Sequence, residues 1–216
     1  MNSAVALQRP TAGAPPLQGA TAGRRFYDAA SASWMVKVFP GEYYTTMQLD
    51  EVLVTVLGSC VAACIRDPIA GVGGMNHFML PHHDSGTWGD DLKSTRFGNF
   101  AMEKLINELI KAGCVRERME IKVFGGGNVT ETNNAVGTDN AEFVMRYLGA
   151  EGLRCAVKDL GGTLPRRIHY YPATGRVVRR LLGTSDRYTV HREEYDYQKR
   201  LLGQQTSGDI ELFGDD

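Results

Sequence analysis

The sequence predicts a fold of mixed strands and helices in one domain, and three observations lead there. Short, β-branched apolar runs alternate with turn signals over residues 34–80. Two stretches, 97–111 and 138–148, carry apolar residues at helical spacing. A hairpin signal, Pro172-Ala173-Thr174-Gly175, sits between two extended runs near residue 180. The chain has 216 residues, of which 43% are hydrophobic. That length fits one domain with flexible ends and is enough to bury a real core.

The elements follow in order. Residues 1–32 are rich in Ala, Gly, Pro and Thr and poor in large apolar groups, so they read as a disordered leader. They contain no continuous apolar segment of the secretory type. Residues 34–38 form a short strand, and Pro40-Gly41 a turn. Residues 51–57 are almost continuously apolar and read as a buried strand. After the Gly58-Ser59 break, residues 61–66 continue extended until Asp67-Pro68. Residues 72–80 are extended again, with Met75, His77 and Met79 on one face and Asn76, Phe78 and Leu80 on the other.

Residues 82–91 read as a polar loop. The helix at 97–111 ends at Gly113, a natural C-terminal cap. A strand at 120–124 runs into Gly125-Gly126-Gly127. Thr138 caps the second helix. Residues 153–159 form a strand, and 166–171 with 176–182 the hairpin. Arg166-Arg167 and Arg179-Arg180 read as exposed hairpin positions, and His169 as a strand surface residue. The expected division is a leader at 1–32, a domain at 33–183, and an appendage at 184–216. That appendage is partly helical, with a charged, Tyr-bearing segment at 191–202 and an acidic tail from 209 to 216.

Composition narrows the function. The net charge of −1 gives no sign of a nucleic-acid partner. No apolar run is long enough to insert in a bilayer as a helix. The four cysteines, Cys60, Cys64, Cys114 and Cys155, are scattered, which suits reduced thiols in the cytoplasm. Cys60 and Cys64 with His77, His82 and His83 do not match a structural zinc spacing, so no metal is expected. The triple glycine lacks the Lys-Ser/Thr of a phosphate loop and reads as a tight turn or close backbone approach.

Chemistry concentrates at Cys60 and His77. Cys60 follows the Gly58-Ser59 turn, which lifts a thiol out of its strand. The thiolate is the nucleophile, and a free thiol with pKa about 8.5 is only slightly ionised near neutrality. An imidazole within reach removes that limit. The chemistry suggested is acyl transfer through a thioester on Cys60, in a cleft open to a partner's side chain. The same residue also fits a packed, inert role among its apolar neighbours. Backbone N–H groups around Gly58, Ser59 and Cys60 are candidates to hold an oxyanion, with Asn76 in support.

Thr55-Val56-Leu57-Gly58-Ser59-Cys60-Val61, Asp67-Pro68, Gly74-Met75-Asn76-His77-Phe78-Met79-Leu80-Pro81 and Phe124-Gly125-Gly126-Gly127 stand in an order that resembles the CheD family. Tyr170-Tyr171-Pro172 and Thr174-Gly175-Arg176 extend the likeness. The resemblance implies an α+β fold, with packed mixed β-sheets flanked by helices, similar to the cytotoxic necrotising factor type of cysteine deamidase. It implies hydrolysis of glutamine side chains in methyl-accepting chemotaxis receptors, without a cofactor. Its nucleophile falls on Cys60, its histidine on His77 and its third polar residue on Thr55. Some members are also linked to receptor methylesterase activity, and some bind a chemotaxis phosphatase of the CheC type. The competing expectation is a catalytically silent adaptor that docks on receptors or on that phosphatase.

Overall fold

The computed structural model describes residues 24–81, 92–129 and 136–205. The leader before residue 24, the loop with His82 and His83, and the acidic tail after residue 205 lie outside the described residues. Among the described residues, ten strands form two five-stranded sheets, ordered β1-β2-β4-β9-β10 and β3-β6-β5-β7-β8. The first contains β1 (Arg25–Asp28), β2 (Ser33–Lys37), β4 (Glu51–Leu57), β9 (Arg166–Tyr171) and β10 (Arg176–Leu181). The second contains β3 (Glu42–Thr46), β5 (Val61–Asp67), β6 (Val72–His77), β7 (Glu120–Gly125) and β8 (Cys155–Leu160). Pairing is antiparallel except for β2 with β4 and β7 with β8.

Two apolar layers hold the molecule together, and strand alternation decides which residue enters which. Leu53, Leu57, Ile168 and Tyr170 of the first sheet meet Cys60, Ala62, Cys64, Met75 and Met79 between the sheets. The other face of the second sheet carries Val61, Ala63, Ile65 and Phe78. It packs under helices α1 (Leu92–Lys111) and α2 (Val136–Ala150) through Met102, Leu105, Phe143 and Val144. The molecule is therefore α+β, with mixed sheets packed face to face and helices outside. Cys64 is a fully buried core residue, and Met75 and Met79 share a layer while Phe78 and Leu80 line the other, as the alternation predicts.

Several boundaries differ from the sequence reading. A strand precedes residue 34: β1 pairs with β2 in a hairpin and sets the Arg25 guanidinium 3.9 Å from the Trp34 ring centroid. Strand β3 has no clear alternation, because Tyr44, Thr45 and Thr46 are all buried. α1 starts five residues before 97, in a polar stretch without an apolar period. α2 starts at Val136, which leaves Thr138 inside the helix, where its hydroxyl accepts from Asn128 Nδ2 at 3.1 Å.

Arg166 is buried, not exposed. It shares the inward face of β9 with Ile168 and Tyr170 and binds Asp159 at 2.9 Å. Residues 184–205 form a long helix, α3 (Thr184–Gln205), with Asp186 in its first turn. Among its described side chains the buried ones are Val190, Glu194, Tyr197 and Leu201, one per turn on one face.

Candidate active site

Cys60 lies in the three-residue connection between β4 and β5. The triple glycine clamps that connection from behind. Gly126 N–H donates to Cys60 O and Gly127 N–H to Gly58 O, both at 2.8 Å. Gly125 has φ of +113°, and a Cβ there would collide with the Cys60 carbonyl. The glycines are thus a close backbone approach, as the sequence suggests. Asn140, fully buried on α2, ties the same loop to the segment that follows β6. Its Nδ2 donates to Ser59 O at 2.9 Å and its Oδ1 accepts from Leu80 N–H at 2.8 Å.

His77 ends β6, and Thr55 lies on β4 in the opposing sheet. Thr55 Oγ1 is 2.8 Å from His77 Nδ1 and donates its own proton to Val38 O at 2.7 Å. With that proton committed, Thr55 can only accept from the ring, so Nδ1 carries the hydrogen. The carbonyl of Val38, 3.5 Å from Nδ1, also only accepts. Nε2 is left as the basic nitrogen, buried and without a hydrogen-bond partner. The order thiol, imidazole, hydroxyl provides the parts of a thiol hydrolase.

Asn76 is not brought to this site. Its side chain points into the helix-covered layer, accepting from Ala63 N–H at 2.9 Å and donating to Ala101 O at 3.1 Å. Strand alternation explains it, since Asn76 and His77 must face opposite ways. Thr45 and Thr46 pair with Gly74 and Gly73, farther down β6 from His77.

A residue that sequence reasoning did not single out occupies the loop beside Cys60. Glu194 of α3 reaches across to the Cys60 loop. Its Oε1 accepts from Gly58 N–H at 2.9 Å and Cys60 N–H at 3.0 Å. Its Oε2 accepts from Ser59 N–H at 2.9 Å and the Ser59 hydroxyl at 2.7 Å. Three consecutive N–H groups converging on one carboxylate make an anion nest. The signal that could have found Glu194 is a charge at position 194 within the apolar stripe Val190, Tyr197, Leu201.

The sulfur of Cys60, a ring nitrogen of His77 and a Glu194 oxygen lie within 4.8 Å of one another. Such a trio could gather a thiophilic cation, but here both carboxylate oxygens are committed to the nest. Cys60 is fully buried, so the open cleft expected from the chemistry is covered by α3. A cleft of about 480 Å³ remains beside it, reaching Thr55 and His77 between Val38, Phe39 and Val190.

The electrostatics match an idle site. Burial, then the Glu194 carboxylate, push the Cys60 thiol well above its ordinary value. Burial pulls His77 down to about 4 against a smaller opposing pull from Glu194. Thiol and imidazole are both neutral while α3 is seated.

Fold and site together define a class, an α+β domain equipped as a cysteine hydrolase. Residues 79–181 match the family model described as CheD chemotactic sensory transduction, a span that contains neither Cys60 nor His77. Full-length likeness covers both. A probable chemoreceptor glutamine deamidase CheD of Rhodopseudomonas palustris is 52% identical over 190 residues, 88% of this chain and 89% of that one. Its counterpart in Methylobacillus flagellatus is 44% identical over 203 residues, 93% of this chain and all of that one. The chain belongs to the CheD family. Among solved structures, YfiH of Bacillus licheniformis aligns with a TM-score of 0.37 and 12% identity over 54% of this chain and 49% of its own, too remote to carry weight.

Proposed function

We propose that the protein hydrolyses glutamine side-chain amides of chemotaxis receptors to glutamate and ammonia, with Cys60 as nucleophile, His77 as acid and base, and Thr55 as the group that positions His77. The observation that carries the reading is the convergence of the Gly58, Ser59 and Cys60 N–H groups on a carboxylate beside the thiol and the unpartnered His77 Nε2. The receptor as substrate comes from the names of the relatives, which are 44–52% identical across most of the chain.

The steps follow from the side chains. His77 Nε2 takes the Cys60 proton, and the sulfur attacks the amide carbon. The carbonyl oxygen becomes an oxyanion in the nest now filled by Glu194. The protonated imidazole gives its proton to the departing nitrogen as the C–N bond breaks, and ammonia leaves. A water then loses a proton to His77 and attacks the thioester. The C–S bond breaks, the thiol regains the proton, and the product is a carboxylate. Thr55 holds Nδ1–H throughout and keeps Nε2 aimed at the thiol. No step needs a metal or organic cofactor.

We assign the reaction to the body at residues 33–183 and place it in the cytoplasm, where four free cysteines would stay reduced. Among the described residues no helix is long and apolar enough to cross a membrane. A CheC-type phosphatase is a further partner in this reading. The test is mass spectrometry of a receptor cytoplasmic fragment incubated with the full-length protein. Glutamines should gain about 1 Da as amide becomes acid, and Cys60→Ala or His77→Ala should return that gain to background. Undiminished conversion by Cys60→Ala would end the covalent route. Unchanged glutamines with every protein, including one whose α3 has been loosened, would favour the silent adaptor.

A further inference from the structure

Glu194 occupies the position that a substrate side chain must take. The reaction proposed above leaves a glutamate carboxylate beside Cys60 with one oxygen in the nest. The chain's own helix α3 presents that group there, from 134 residues away in sequence. Oε1 sits between the Gly58 and Cys60 N–H groups, where an oxyanion formed by attack of Cys60 would be held. Oε2, on Ser59, stands where the second product oxygen or the amide nitrogen would lie.

The surface under α3 is shaped for a helix. Val190, Tyr197 and Leu201 are buried with Glu194, so the docked face is apolar at four residues before the glutamate and at three and seven after it. The floor is bare where the helix comes closest. A Cβ on Gly58 would stand 2.8 Å from Glu194 Oε2, and one on Gly41 would stand 2.5 Å from the Tyr197 hydroxyl. The side chains flanking Glu194 on α3, Glu193, Tyr195 and Asp196, face solvent. Among the described residues no Lys, Arg or His forms an ion pair with Glu194. Its charge is met by the same N–H groups that the chemistry requires.

We infer that α3 is a built-in product mimic seated in the substrate groove, and that the substrate this groove accepts is an amphipathic α-helix with its glutamine in an apolar stripe spaced like Val190, Glu194, Tyr197 and Leu201. The inference rests on the deamidase reading for the fate of the glutamine. The receptor helix enters by displacing α3, so its apparent affinity is lowered by the fraction of molecules in which α3 is lifted. Release of α3 also removes a carboxylate from beside the thiol and admits water, both of which favour the thiolate.

Two full-length variants test it. In Glu194→Gln the helix delivers an amide to Cys60 in cis. Sulfur adds to its carbon, ammonia leaves with the proton held by His77, and water returns glutamate. Intact-mass and peptide spectra should show the new amide at position 194 reverting to the acid with a gain of about 1 Da, and the change should be absent when Cys60→Ala is added. In Glu194→Ala the KM for a receptor fragment should fall about tenfold while kcat changes less than about twofold, because only the competing occupant is lost. An amide left intact at position 194 in a Glu194→Gln protein that still deamidates the receptor fragment, or an unchanged KM in Glu194→Ala, would overturn the inference and leave the receptor reading standing. Conversion at position 194 with receptor glutamines untouched would uphold the groove and remove the receptor. Neither reaction in any variant would remove both.

Discussion

Two buried carboxylates in this molecule each accept three backbone N–H bonds, yet they do opposite work. Asp67 ends β5 and is completely buried. It accepts from Ile69 and Ala70 N–H at 2.9 and 3.1 Å, from Val115 N–H at 2.9 Å, and pairs with Arg118 at 2.7 Å. Those bonds, the Arg118 hydrogen bond foremost, hold its carboxyl well below the usual range. The nest of Glu194 has the same number of N–H donors, but it is made by the loop that carries the Cys60 thiol, and its occupant comes from a separate helix. A carboxylate with its own arginine stays put, because lifting it would strand two charges. A carboxylate held only by amides and one hydroxyl can leave, because water or another carbonyl can take its place.

The largest effect expected from this contrast is on stability. Asp67→Ala leaves Arg118 and three N–H groups without their acceptor and should cost about 3–4 kcal/mol in urea unfolding. Glu194→Ala should cost about 1.4 kcal/mol, the free-energy equivalent of lifting α3 tenfold more often, since the vacated amides meet solvent as α3 lifts. Hydrogen exchange should report the same contrast locally, with Gly58, Ser59 and Cys60 amides exchanging faster only in Glu194→Ala. Equal losses from the two variants would make Glu194 a structural group and dissolve the distinction.

Acid should separate the two regions by pH window. His77 is held near 4, below its ordinary 6.5. The unfolded chain therefore takes up this proton first. The stability that a neutral His77 provides is complete above about 6.5 and drains as pH falls toward 4, by on the order of 3 kcal/mol. His77→Gln should flatten the stability curve in that interval. Asp67, whose folded value is depressed below 3.8, contributes stability that is lost only at lower pH. Asp67→Ala should leave the slope between pH 6.5 and 4 unchanged. A slope that persists in His77→Gln would place the titrating group elsewhere.

The sequence shows most of one partner in the site and little of the other. Glycine before the thiol, strict alternation through Met75, His77 and Met79, and a β-branched strand ending near Thr55 are local patterns. Each translates directly into direction along a strand, so the sheet-borne part of the site is legible. Asn76 is misplaced when proximity in sequence to His77 is set above the alternation that sends neighbours to opposite faces. Glu194 does not follow from charge and residue type alone. A glutamate on a helix rich in Arg, Glu and Lys reads as solvated, and only its phase with Val190, Tyr197 and Leu201 marks it as buried. Arg166 escapes for the same reason on a strand, where its phase with Ile168 and Tyr170 outweighs its charge. Asn140 is marked in the same way by its phase with Val136, Phe143, Val144 and Tyr147 on α2, whereas the strand β3 carries no such signal and its place follows from tertiary packing.

The smallest expected effect probes the strength of the nest itself. Ser59 contributes twice to Glu194, through its N–H and through its hydroxyl at 2.7 Å. Ser59→Ala removes only the hydroxyl and keeps the backbone donors. A hydrogen bond to a charged group is worth about 1.5 kcal/mol before the carboxylate finds water, so a net loss of about 1 kcal/mol is expected. That loss lifts α3 more often and should speed iodoacetamide labelling of Cys60 about fivefold. Cys114, buried near Asp67 rather than under α3, should label at its original rate. Faster labelling of both thiols would mean general loosening. No change at Cys60 would mean that the backbone nest alone holds the helix and that the hydroxyl is free to serve the substrate.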